Sequence, residues 1–119
     1  EAAPVLQFIA KKYGYSDAEL KASYGRTSQL LELCSDTLET QKTKHSPYYI
    51  GDSLTALDIY SAVLIAVMMK PMSHEKIPMP EGMRFGFSDN HPSQDTARDV
   101  IFEHRDYIFD KYLQLPMVF

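Results

Sequence analysis

The sequence predicts an all-α fold, a bundle of helices, and three observations carry the prediction. Apolar residues recur at spacings of three and four over long stretches, Ser or Thr stands three residues ahead of an acid just before two of those stretches, and no segment alternates with period two. The chain of 119 residues is long enough to bury roughly two thirds of the surface its unfolded form exposes, so it needs no disulfides or metal to fold.

The first helix is expected over residues 3 to 13, APVLQFIAKKY, with Val5, Leu6, Phe8 and Ile9 on its apolar side. Pro4 is tolerated only in a first turn, which places the helix start near Ala2 or Ala3 and Glu1 at its threshold. Lys11 and Lys12 suit the last turn, and Gly14 is the residue for a left-handed cap. Ser16-Asp17-Ala18-Glu19 then reads as a capping box opening a long helix over about 17 to 43. Leu20, Tyr24, Thr27, Leu31, Cys34 and Leu38 form its apolar stripe, and Gly25 inside it marks close packing, a bend, or about 1 kcal/mol of lost helix stability.

A second box follows in YYIGDSLTALDIYSA, residues 48 to 62. With Thr55 as N-cap, its hydroxyl accepts from the N–H of Asp58 while the Asp58 carboxylate reaches back to the N–H of Thr55, and Leu54 and Ile59 are spaced as a hydrophobic staple. The helix beyond, about 56 to 69, is apolar on nearly every side and is expected to be the central rod of the bundle, with the first segment laid against the rest as a second rod. Residues 71 to 91 read as one long Pro- and Met-rich connection, expected to be mobile and to lie near an open crevice, with Met72, Met79 and Met83 as candidates to line an apolar pocket. The last helix, about 93 to 113, carries Val100, Ile101, His104, Tyr107, Ile108, Tyr112 and Leu113.

Composition excludes several classes of function. Sixteen acids against twelve bases give a net charge of −4, which argues against nucleic acid or an anionic membrane as partner. The single Cys34 excludes a disulfide framework, sits on an apolar stripe as a structural thiol, and fits a reducing cytoplasm; no segment has the length of a membrane span. His74-Glu75 would need a second His at position 78 to hold zinc, and that position is Pro; His45, His91 and His104 have no ligand spacing, so no metal is expected. His104 reads instead as a hydrogen-bonded interior or interface group. Phosphate-binding and nucleophile motifs are missing, so the residues alone lead to a helical bundle without visible catalytic machinery.

The stretch YYIGDSLTALDIYSA resembles the entry to the buried helix of the all-helical domain of glutathione transferases, where a capping box and staple follow a Gly-containing turn. EAAPVLQFIAKKYG is similar, in register from Glu1 to Gly14, to the last helix of that family's thioredoxin-like domain, and EHRDYIFDKYLQLP to the closing helix of some bacterial members. The resemblance implies that residues 1–14 end a thioredoxin-like domain and residues 15–119 form a C-terminal helical domain of the glutathione transferase type. It makes Thr55 and Asp58 structural. It places Glu1 where the family holds the ammonium of the γ-glutamyl group, and Ala2 where a Ser usually binds the adjoining carboxylate, leaving only a backbone N–H there. A carboxylate ahead of free helix N–H groups suits both charges, although for Glu1 a solvated chain end stabilising a helix start accounts for it equally well. Glutathione is the implied co-substrate, a small hydrophobic electrophile the acceptor, Tyr24, Met68 and Met69 the acceptor pocket, and a homodimer the assembly. The residue that activates the glutathione thiol belongs to the portion before Glu1, so no catalytic residue is assigned here. The alternative is a non-catalytic interaction or dimerisation module of the same fold.

Overall fold

The computed structural model describes residues 2–88 and 94–117, and among these the chain is helical with no strand. Five α-helices run in order: α1 (Ala2–Lys12), α2 (Asp17–Thr43), α3 (Ala56–Met68), α4 (Glu81–Ser88) and α5 (Asp99–Tyr112), with a short 3-10 turn at Gln94–Thr96. None is long and apolar enough to cross a membrane among the described residues.

Local signals set most of the boundaries. Gly14 is left-handed, at φ +69°, and the Tyr15 N–H returns to the Ala10 carbonyl at 2.8 Å, closing α1 in a Schellman motif. Ser16 caps α2 by accepting from the Glu19 N–H at 3.1 Å. The expected return bond from Glu19 does not form, because its carboxylate pairs with Arg26 at 3.2 Å further along the exposed face. Gly25 approaches nothing: a Cβ added there would meet no atom within 4 Å, so close packing is not its reason.

The core lies around α5, which packs against both α3 and α2. On one side Ile108 and Phe109 meet Ala62 and Ala66 of α3 together with Tyr48, Met72, Ile77 and Met79. On the other, Val100 and Ile101 meet Leu31 and Leu38 of α2, with Tyr49 and Met69.

Four expectations are corrected. The segment after α3 is not a loose connection: Met72, Ile77 and Met79 are buried, and the Arg84 guanidinium donates to the Met72 and Ile77 carbonyls at 2.8 Å each. Its second half folds as α4, on which Met83 is exposed, so Met72 and Met79 fill core and Met83 faces outward. The central rod is one-sided, since the short Ala62 and Ala66 face α5 while Tyr60, Leu64 and Met68 remain 68%, 56% and 50% exposed. Finally, α1 is a rod but touches no other helix among the described residues, and Val5, Leu6, Phe8 and Ile9 are exposed along it. The last helix begins at Asp99 rather than near 93, because the extended Arg98 is held by its side chain to Asp36, to Glu39 at 3.0 Å and to the Glu32 carbonyl, all on α2.

Candidate functional site: a buried carboxylate hub and an apolar crevice

Asp58 is fully buried, and its carboxylate receives four hydrogen bonds. Oδ1 accepts from the Tyr49 N–H at 2.9 Å and from His104 Nε2 at 3.0 Å; Oδ2 accepts from the Thr55 N–H at 2.8 Å and the Thr55 hydroxyl at 2.7 Å. Thr55 and Asp58 therefore form the expected capping box, the Asp58 carboxylate accepting from the Thr55 N–H while the Asp58 N–H faces the Thr55 hydroxyl. Burial by itself would raise the Asp58 carboxyl, but the Tyr49 and Thr55 donors, with His104, outweigh it and hold the group below the usual carboxylate range. Burial dominates at His104 and lowers its imidazole, against the pull of Asp58. Both effects fix the protonation: an ionised Asp58 accepts, so neutral His104 carries its proton on Nε2.

Three neighbours complete the hub. The Gln41 amide, near the end of α2, donates to the Tyr48 and Gly51 carbonyls at 2.9 and 2.8 Å, which holds the turn before α3 in place. Gly51 takes φ +64° in that turn, the left-handed conformation a glycine adopts without strain. Tyr49 stacks edge-on against His104, with ring centroids 4.6 Å apart, and its hydroxyl pairs with Ser61 at 2.9 Å. Burial raises the Tyr49 phenol, so it stays neutral. The hub is a scaffold: every atom of Asp58 able to accept is used, and none faces a space a substrate could enter.

An open space lies elsewhere. A crevice of about 440 Å³ is lined by Thr27 and Leu31 of α2, Leu64, Ile65, Met68 and Met69 at the end of α3, and Gly86 and Phe87 of α4. That volume falls within the range of small-molecule sites, and the walls offer hydrocarbon and thioether surface, fit for an apolar group rather than a charged one.

Of the residues expected in a site, Met68 and Met69 line this crevice together. Tyr24 is half-buried on the same side of α2, one turn before Thr27, and does not line it. Ala2 opens α1, while Glu1 lies outside the described residues. Among the described residues no three His, Cys, Asp or Glu side chains gather as metal ligands. Sequence reasoning missed Gln41, which sits in no motif, and the part played by Tyr49, which stands in the stretch ahead of α3 but outside its cap, and it missed the partner of His104. The signal for His104 was its place between Ile101 and Ile108 on the buried stripe of α5, where a polar ring needs a hydrogen bond.

No family model, curated protein or solved structure matches the chain.

Proposed function

We propose that this chain is the helical, acceptor-binding part of a glutathione transferase-like protein, and that the crevice between α2, α3 and α4 receives the apolar portion of an electrophile or of its glutathione conjugate. The observation that carries the reading is the convergence of Met68 and Met69 on one apolar crevice, on the helix whose start bears the family-like capping box. The physical division of labour is consistent. A pocket of hydrocarbon and sulfur binds by excluding water from an apolar acceptor and leaves thiol activation to a hydrogen-bond donor on a preceding thioredoxin-like portion. The exposed Val5, Leu6, Phe8 and Ile9 of α1 then form the apolar face by which that portion joins the bundle. Glu1 and Ala2, at the junction, are the positions through which the γ-glutamyl end of glutathione is held, and the protein works as a cytoplasmic homodimer.

The test is a titration with S-methylglutathione and S-hexylglutathione, followed through the Met methyl resonances. The longer chain is expected to shift Met68 and Met69 and to bind more tightly, and Met68→Glu to remove the difference. Equal affinity for the two, or shifts that avoid both methionines, overturns the proposal.

A second reading, an interaction module without catalysis, is favoured by Leu30 and Leu33, exposed a turn apart on α2. Sedimentation equilibrium of Leu33→Lys separates the two: loss of self-association with the S-hexylglutathione response intact leaves the enzyme reading standing, whereas self-association without any response to the conjugate favours the module.

A further inference from the structure

Three tyrosines and a lysine bring their polar ends to one spot near the end of α5. Tyr107 and Lys111 stand one turn apart on that helix, Tyr112 closes it, and Tyr48 comes from the turn before α3. Lys111 Nζ donates to the Tyr107 hydroxyl oxygen at 2.8 Å and to that of Tyr48 at 3.5 Å. The Tyr48 hydroxyl lies 3.4 Å from that of Tyr107 and is bonded to that of Tyr112. The Tyr107 ring packs edge-on against both others, with centroids 6.1 Å from Tyr48 and 6.4 Å from Tyr112, and the ammonium sits 5.2 Å from the centres of the Tyr107 and Tyr112 rings. Packing on three sides thus fixes where the cation stands.

The charge in this cluster is one-sided. Among the described residues Lys111 has phenol oxygens as its hydrogen-bond acceptors and no carboxylate as an ion-pair partner. An ammonium can only donate, so the Tyr107 oxygen is its acceptor, and a phenolate at that position gains a charge-assisted bond. The Lys111 contact, with Tyr48 adding to it, lowers the Tyr107 phenol from its ordinary value. The neighbours move the other way: bonds to Tyr107 and Tyr112 raise the Lys111 ammonium, and bonds to Tyr107 and Tyr112 push the Tyr48 phenol up to about 12. The Lys111–Tyr107 bond is exposed, so a small reagent reaches it. Tyr15 shows the reverse arrangement: its hydroxyl donates to Asp17 at 3.0 Å, and that bond, with the Asp17 charge, raises its phenol.

We infer that Tyr107, one of eight tyrosines, is the activated phenol of this chain and a covalent modification site that takes an acyl group from an activated acyl donor, with Lys111 as the residue that positions and stabilises the attacking oxygen. In that step the Tyr107 oxygen attacks the acyl carbon, a C–O bond forms, the bond from that carbon to the leaving group breaks, and the phenol proton departs with the leaving group. Lys111 keeps its three protons throughout, so it is spent neither as a base nor as a competing nucleophile. A phenol is neutral before it reacts and carries its charge only as it attacks, which is the moment at which a fixed ammonium 2.8 Å away helps most.

Limited reaction of the folded chain with N-acetylimidazole near neutral pH, read by digestion and mass spectrometry, ranks the tyrosines. Exposure alone puts Tyr60, at 68%, and Tyr15, at 59%, ahead of the half-buried Tyr107. Activation by Lys111 reverses that order: Tyr107 is expected to be acetylated first, at least about threefold faster than Tyr60, which is the part of a charge-assisted bond that survives the weaker nucleophilicity of a stabilised phenolate. Tyr15, held in its protonated form by Asp17, should come last. Lys111→Met, at an exposed position, should bring Tyr107 below Tyr60 and leave the rates of Tyr15 and Tyr60 as they were. Hydroxylamine should remove the label, as it does from a phenol ester and not from an acetylated amine. Rates that follow exposure, an unchanged Tyr107 rate in Lys111→Met, or acetyl on Lys111 that persists in Tyr107→Phe each overturn the inference. None of these results involves the crevice or glutathione, so this inference and the proposed function fail separately.

Discussion

Asp58 of α3 and His104 of α5 meet at 3.0 Å, oxygen to Nε2, with both side chains buried. A helix-capping carboxylate, in origin a local device, is thereby made a tertiary one. The group that closes the front of α3 also fixes the distance between the two helices on which the core is built, and its remaining oxygen capacity pins the turn before α3 through the Tyr49 N–H.

Replacing that carboxylate should therefore cost more than a cap. Asp58→Ala leaves four buried or half-buried donors, from Tyr49, Thr55 and His104, without an acceptor, and a loss of about 3 to 5 kcal/mol is expected, against about 1 kcal/mol for a cap alone. Urea denaturation measures it. Binding of S-hexylglutathione per folded molecule should stay unchanged, since Asp58 does not line the crevice. A loss near 1 kcal/mol would reduce the hub to an ordinary helix start.

Acid should destabilise the fold in two steps. Burial lowers the imidazole of His104 from its ordinary value of about 6.5 on folding, so the unfolded chain takes up a proton first and stability falls as the pH drops through and below that value. The Asp58 carboxyl is lowered from 3.8, so its contribution persists above that value and is lost only in stronger acid. Both act in the same direction: stability rises with pH up to about 7. In a series of denaturation curves, His104→Gln should flatten the step that begins near pH 6.5 and leave the one at lower pH. An unaltered pH profile in that variant would show that His104 is not the group responsible.

Gln41 offers a test by sign reversal. Its amide nitrogen donates to two carbonyls at 2.9 and 2.8 Å. Gln41→Glu puts a carboxylate against those oxygens and should destabilise by about 2 to 4 kcal/mol at neutral pH, with part of the loss recovered in mild acid as the new carboxyl protonates and regains one donor. The native chain moves the opposite way over the same pH range, so the crossing of the two curves is the readout.

Gly25 should be improvable. It lies inside α2 with open space where a Cβ would go, and its φ is not in the left-handed region. Gly25→Ala is expected to stabilise by about 0.4 to 1 kcal/mol and raise the melting temperature, with no change in the binding of conjugate. Destabilisation would mean that a contact outside this chain needs the bare backbone.

The helix starts at Ser16 and Thr55, the stop at Gly14 and the span of α2 were legible in the sequence because each depends on residues three to six apart: a cap, a left-handed glycine and a period of 3.6 are local physics. Tertiary structure alone decided the rest. Whether Leu64 or Ala66 faced inward on α3 depended on where α5 lay, and the two small alanines let α5 approach on their side. Whether Met72 and Met79 were loop or core depended on Arg84 binding the carbonyls between them. Residues 58 and 104 carried no shared spacing, so their bond and the crevice between α2, α3 and α4 arose only when packing brought distant stretches of chain together.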